Sequence, residues 1–176
     1  MNTKTKRLIL YSLFAAITSV LSQISIPLPF TPVPLNLATL SVILSGAILG
    51  KSGGAISQIV YTLLGTIGLP VFANLSAGIG IIIGPTGGYI IGYIIAAFIV
   101  GLILEKSNKN IIIYIVSMSI GLTTCYILGT AWFMYITKSN LVASLTMCVI
   151  PFIPGDIIKV ILASILAKRV HKIIKI

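Results

Sequence analysis

Of the 176 residues, 57% are hydrophobic and only 8% are charged, with twelve Lys and Arg against two acidic residues for a formal net charge of +10. Apolar runs long enough to cross a bilayer exclude a soluble domain, and the scarcity of His, Asp and Glu leaves no candidate metal site and no dense catalytic constellation. A charge of +10 would suggest nucleic acid in a soluble protein, but the placement of the cations along this chain argues for membrane orientation and against a nucleic-acid partner.

A membrane crossing needs about 20 mostly apolar residues, and six segments qualify, at roughly 8–26, 35–49, 53–70, 86–104, 110–136 and 154–174. They occupy nearly the whole length. The expectation is a single domain, residues 1–176, built as an all-α bundle of six transmembrane helices whose backbone polar groups are satisfied within helices. No small-residue cleavage site separates the first span from the second, so the first is expected to be a membrane helix and not a cleavable signal peptide. Lys4, Lys6 and Arg7 precede the first span, Lys51 lies between the second and third, Lys106 and Lys109 between the fourth and fifth, and Lys168, Arg169, Lys172 and Lys175 close the sixth. All fall on one side of a six-span arrangement, which places both termini in the cytoplasm. The patch they form would also attract anionic lipid.

Along the chain, the first span carries overlapping small-residue pairs, Ser12 with Ala16 and Ala15 with Ser19, which let another helix approach closely, from within the bundle or from a partner. Residues 27–34 contain four prolines, which predict a stiff extended rim, with Pro34 suited to the first turn of the second helix. Residues 73–88 are uncharged and rich in Gly, Ala and Ser; they read either as a lid over an outward-facing pocket or as a reentrant connection. Gly84, Gly88 and Gly92 recur every fourth residue on the fourth span, a stripe open to a packed helix or to a ligand. Tyr89 and Tyr93 lie one turn apart beside it, and Tyr89 in particular fits an interfacial aromatic belt. Cys125 in the fifth span and Cys148 near the outer end of the sixth read as small buried hydrophobes, and His171 as a surface residue in the basic tail.

The feature that carries chemistry is Asp156, three residues before Lys159 in the apolar stretch PFIPGDIIKVILASILA. A charge at mid-membrane depth costs roughly 2.5–3.5 kcal/mol on insertion scales and normally faces a cavity, a partner or a ligand. Residues at i and i+3 share a helix face, so the pair presents an acceptor and a donor to one small molecule, or else holds the last helix in register. Asp156 follows Pro154-Gly155 and falls in the first turn, where free N–H groups stabilise an anion. A neutral pair of this kind suits a ligand with N–H donors and a carbonyl or carboxylate. Asn74 would add an amide, and Phe72, Tyr89 and Tyr93 would supply apolar walls. Catalytic residues are not expected: there is no nucleophile beside a base and no HExxH. The string GPTGG lacks the GK[ST] ending of a phosphate loop, so the chain is expected to have no ATPase of its own.

The strings IPLPFTPVPLNLATL, IGLPVFA, GPTGGYIIGYIIAAFIVG and FIPGDIIK resemble the BioY proteins, the biotin-specific substrate-binding components of energy-coupling factor transporters. The resemblance implies a six-helix protein of the prokaryotic plasma membrane that captures biotin from outside and uses no cofactor. It further implies a transmembrane coupling protein and a pair of cytoplasmic ABC-type ATPases as partners, with Ser12, Ala15, Ala16 and Ser19 facing the coupling protein. Carried over by motif, Asp156 and Lys159 become ligand residues, with Lys159 meeting either the ureido carbonyl or the valerate. Relatives often carry VPxTLQTL where this chain has VPLNLATL, so Ala38 replaces a glutamine and Asn36 a threonine; Asn36 is a candidate to compensate. Asn74 stands where the family often has glycine. The alternative is a stand-alone secondary carrier using Asp156 for ion coupling, and a third reading is an intramembrane enzyme or assembly subunit.

Overall fold

The structure, a computed structural model, describes residues 3–108 and 110–173; Lys109 and Lys175 lie outside the described residues. In chain order it contains α1 (Thr3–Gln23), a hairpin of β1 (Ser25–Leu28) and β2 (Thr31–Asn36), α2 (Ala38–Thr66), a 3-10 turn (Ala73–Leu75), α3 (Ile79–Ile83), α4 (Gly87–Lys106), α5 (Ile111–Thr137), α6 (Leu141–Cys148) and α7 (Ile153–Ile173).

Helices α2, α4 and α5 are each long and apolar enough to cross a membrane, and α6 with α7, bent by 52°, makes a fourth such unit. Helix α2 is itself two limbs folded back on each other. The turn is Gly50, with φ 76 and ψ 178, a conformation that only glycine adopts without strain. Gly54 then packs on Gly46, and Gln58 reaches back to Ser45. The six rods are therefore α1, the limbs 38–49 and 51–66, α4, α5 and α7, which matches the six predicted spans. At the end of the bundle that holds the Gly50 turn, Glu105 clamps that turn by accepting from the Lys51 backbone N–H (2.9 Å) and pairing with its ammonium (3.2 Å). There too, Tyr114 at the start of α5 hydrogen-bonds His171 near the end of α7 (3.0 Å), so His171 is a packing partner and not a free surface residue.

The core has two parts. One, toward the end that holds the Gly50 turn, gathers Ile43, Val100, Leu104, Tyr114, Met118 and Val160. The other lies toward the hairpin and includes Val33, Val42, Tyr61, Phe72, Tyr89, Tyr93, Phe133 and Phe152. Leu13, Ile59, Phe98, Ile127, Ile158 and Leu162 remain exposed around the outside, as a surface solvated by acyl chains requires. A buried amide ties α1 to α2: Gln58 Nε2 donates to Thr18 (3.2 Å) and Ser45 (3.1 Å), and Thr18 meets Ser41 (2.8 Å). Such polar glue between helices suits an apolar surround.

Several expectations need correction. The proline-rich rim is extended, as its prolines require, but its two strands also pair as a β-hairpin, Ser25 with Asn36, Ile26 with Leu35 and Leu28 with Thr31, irregular around Pro27, which has no N–H to donate to the ladder. Pro34 lies in β2, and α2 begins only at Ala38. Gly84 precedes α4; its carbonyl accepts from the Trp132 indole (2.9 Å). Gly88 and Gly92 back onto Trp132 and Cys125 of α5, so the glycines serve helix packing. Ala15 is 1% exposed within the chain's own core, because α2 docks on that face, while Ser12 and Ala16 are exposed and Ser19 half-buried. Cys148 belongs to the separate short helix α6 and is not on the sixth span.

Candidate ligand-binding site

Helix α7 opens with Ile153, Pro154 and Gly155, and proline is tolerated there because first-turn N–H groups have no helical partner. That places Asp156 in the first turn, pointing Lys159 from the next turn along the same face. The Asp156 carboxylate and the Lys159 ammonium are 2.7 Å apart, and both residues are 5% exposed. Lys159 Nζ also donates to the Asn36 carbonyl at the end of β2 (2.6 Å) and to Thr39 Oγ1 in the first turn of α2 (3.0 Å). The Thr39 hydroxyl in turn donates to Asp156 Oδ1 (3.3 Å). From α5, the Tyr126 hydroxyl donates to Asp156 Oδ2. Removing two charges from water costs several kcal/mol per ion, and here that cost is offset by hydrogen bonds to both partners from three surrounding elements. The group as a whole carries no net charge.

Above the pair lies a cavity of about 210 Å³. The hairpin contributes Val33, Pro34 and Asn36; α2 contributes Thr39 and Tyr61; the connection after α2 contributes Phe72, Ala73, Asn74 and Ser76; α4 and its entry contribute Thr86, Tyr89, Ile90 and Tyr93. Leu122, Cys125 and Tyr126 of α5, with Cys148, Phe152, Asp156 and Lys159, complete the wall. Aromatic rings dominate its middle: Phe72 meets Tyr61 edge-on with centroids 5.5 Å apart, and Tyr61 and Tyr93 are 6.4 Å apart. Phe72 is held at this position because Gly65 of α2 presents no side chain to its ring. The cavity is thus mostly apolar and aromatic, with the Asp156–Lys159 pair and a few other polar side chains, Asn74, Ser76 and Thr86 among them, in its wall, the usual composition of a small-molecule site.

The seven candidates Asp156, Lys159, Asn74, Tyr89, Tyr93, Phe72 and Asn36 all line this one cavity. Tyr89 is not an interfacial residue; it is buried, its hydroxyl hydrogen-bonded to Thr130 (3.1 Å) and to the Cys148 carbonyl (3.3 Å). Residues 73–88 form one wall of the cavity through Ala73, Asn74, Ser76, Ile81 and Thr86. Asn74 adopts a left-handed conformation (φ 58) and accepts from Ser25 Oγ (2.7 Å), which ties the connection to the hairpin. The sequence reading missed Thr39, Tyr61 and Tyr126. Thr39 stands inside the VPLNLATL string, three residues after Asn36, where its signal was available; Tyr126 is an unremarked tyrosine in an apolar helix.

A family model described as the BioY family matches residues 1–176. The chain belongs to the BioY family. It is 42% identical over 168 residues to the probable biotin transporter BioY of Pyrococcus horikoshii, covering 96% of this chain and 98% of that one. To the biotin transporter BioY of Thermotoga maritima it is 38% identical over 168 residues, covering 96% and 97%. The crystal structure of the S-component for biotin from an ECF-type ABC transporter superposes with a TM-score of 0.90 at 30% identity, over 98% of this chain and 95% of that one. This BioY chain is thus a membrane protein of a transporter family whose fold is shared along nearly the whole length.

Proposed function

We propose that this chain binds biotin from the outer side of the prokaryotic plasma membrane, as the membrane-embedded substrate-binding component of an energy-coupling factor importer. The observation that carries the reading is the neutral, hydrogen-bonded Asp156–Lys159 pair at one end of an aromatic cavity, in a chain that matches the BioY family from end to end. Biotin has a cyclic urea with two N–H donors and a carbonyl, a thioether ring and an aliphatic tail, so an apolar slot with one polar end suits its head group. Asp156, Lys159, Asn36 and Asn74 are the polar ligand residues of this reading, and Phe72, Tyr89 and Tyr93 its walls. No cofactor and no catalytic step enter it.

A transmembrane coupling protein and a pair of cytoplasmic ABC-type ATPases supply the energy. The exposed α1 face carrying Ser12 and Ala16, with Ser19 at its edge, is the surface offered to the coupling protein; Ala15 faces inward and serves the bundle. The testing experiment is isothermal titration of the detergent-purified protein with biotin, after dialysis against a biotin scavenger. Stoichiometric binding is expected; folded, ligand-free protein that takes up no biotin would overturn the reading. Vesicles containing the chain without ATPases should bind biotin but not accumulate it, whereas accumulation driven by an ion gradient would favour a secondary carrier.

A further inference from the structure

A second and larger hollow, about 960 Å³, runs along the seam between α5 and α7, separated from the ligand cavity by Leu122, Tyr126 and Asp156. On α5 it extends from Ile115 to Met134, with Leu141 and Leu145 of α6 at the far end, about 28 Å at the helical rise and close to the roughly 30 Å of a bilayer's hydrocarbon core. Ile127, Ile157 and Ile161 in its walls stay exposed. Averaged over its length the groove has a section of about 34 Å². An α-helix with its side chains is about 10–12 Å across, too wide to lie in such a slot, whereas a hydrocarbon chain fits. The hydroxyls in the wall are engaged within the protein: Thr123 donates to the Ser119 carbonyl (2.9 Å), Thr130 pairs with Tyr89 (3.1 Å) and Tyr126 donates to Asp156. A chain laid in the groove strands none of these three.

The register of the two helices sets a cation at one end of the groove. Tyr126 meets Asp156, Met118 meets Ser164 (3.4 Å) and Tyr114 meets His171 (3.0 Å), so Ile115, where the groove ends, is level with Lys168 and the residues just after it. Lys168 lies seven residues beyond Ile161 and therefore on the same face of α7, Lys172 follows one turn later, and both are exposed. At the far end the cation that follows α5, Lys138, is placed over the Tyr135 ring (4.7 Å), and neither of those two lines the groove. We propose that the groove between α5 and α7 is a binding site for an anionic phospholipid, with one acyl chain against Ile115, Thr123, Ile157 and Ile161 and the phosphate at Lys168 and Lys172. A chain from one leaflet covers about half of the hydrocarbon core, or about 15 Å, which is the stretch from Ile115 to the level of Tyr126. The site differs from a diffuse basic surface in having a fixed slot for the chain beside the charge that holds the head group.

Native mass spectrometry of the detergent-purified chain, titrated with phosphatidylglycerol or with phosphatidylcholine carrying the same acyl chains, tests the site without reference to biotin. One retained phosphatidylglycerol per chain is expected, preferred over phosphatidylcholine by about fivefold for each lysine engaged. Lys168→Gln should cut that preference about fivefold, and Thr123→Trp, which fills the groove, should abolish the retained lipid. Ile120→Trp and Lys106→Gln, an exposed apolar residue and an exposed cation that do not line the groove, should change neither. Equal retention of the two lipids would overturn the proposal, as would tight binding that survives Thr123→Trp or a preference that Lys106→Gln lowers as much as Lys168→Gln does. A wild-type dimer that Thr123→Trp converts to monomer would also overturn it, by giving the groove to a second copy of the chain. If Thr123→Trp does not fold, the two lipids compared on wild type, Lys168→Gln and Lys106→Gln still decide, because both lysines are exposed and their replacement leaves the packing untouched.

Discussion

Replacing Asp156 by Asn is the sharpest perturbation the site offers, because it changes one atom and leaves the shape intact. In the wild-type chain the carboxylate accepts from Lys159, Thr39 and Tyr126. An asparagine oxygen placed at Oδ1 would still take Lys159 and Thr39, and Lys159 would keep the Asn36 carbonyl and Thr39. The amide N–H₂ would then stand at Oδ2, where Tyr126 must turn its hydroxyl to accept and a ligand N–H meets another donor. The bound state therefore loses one charge-assisted hydrogen bond and gains a donor facing a donor. Together these are worth about 2–5 kcal/mol, or roughly 30-fold to several thousandfold in affinity. Leaving a buried lysine without its counter-ion also lowers stability, by up to about 3–5 kcal/mol where relaxation is poor. Titration with biotin alongside thermal unfolding in the same detergent separates the two effects. A folded Asp156→Asn protein whose affinity stays within about threefold of wild type would refute the placement of the carboxylate against the ligand.

Three further outcomes follow from the same geometry. Gly65→Ala puts a methyl group into the Phe72 ring, an overpacking worth about 1–3 kcal/mol; a fall in Tm together with weaker biotin binding is expected, and an unchanged affinity would show that Phe72 is no wall of the site. Cys125 and Cys148, the two cysteines of the sequence, both line the cavity, so biotin at 100 times its Kd should slow their reaction with a small methanethiosulfonate about a hundredfold by occupancy; equal rates with and without biotin would move the ligand elsewhere. Ala16→Trp on the exposed face of α1 should leave biotin titration unchanged while abolishing uptake in cells that supply the coupling protein and ATPases. Normal uptake by that variant would remove this face from the coupling surface.

What could be read in advance and what could not divides along physical lines. Six spans were legible because apolar length is a local property. Asp156 and Lys159 were legible because a charge in an apolar run is costly wherever the chain folds. Tyr126 was not, since a tyrosine in a helix with the composition of α5 has the same local preferences whether it faces lipid, core or ligand; only the approach of α7 gives its hydroxyl a partner. The glycine period of four was read through residue 84 although the helix starts at Gly87, because spacing continues across a break that tertiary contacts impose. Ala15 and Ala16 differ in fate by the one face on which α2 docks, and small-residue pairs carry no information about which helix uses them. The hairpin was half legible: its prolines forbade helix, but pairing Ser25 with Asn36 depends on how the two flanking helices are set.

The arrangement also bears on why a chain so poor in charge buries two. A single buried carboxylate would be the simplest acceptor for ligand N–H groups, yet alone it would carry the full desolvation cost, and the usual relief, protonation, would turn the acceptor into a donor. Lys159 offsets part of that cost by placing an opposite charge at 2.7 Å. Thr39 and the Asn36 carbonyl then occupy the lysine's remaining donors. The hairpin and the start of α2 thereby become part of the site: the polar end is assembled only when residues 36–39 sit against α7. A site of this construction keeps its net charge at zero, and a neutral pair feels no net force from a transmembrane field, which acts at about 2.3 kcal/mol per elementary charge per 100 mV. On the proposed function, ligand capture is then decided by hydrogen-bond complementarity at Asp156 and burial against Phe72, Tyr89 and Tyr93, which line the same cavity.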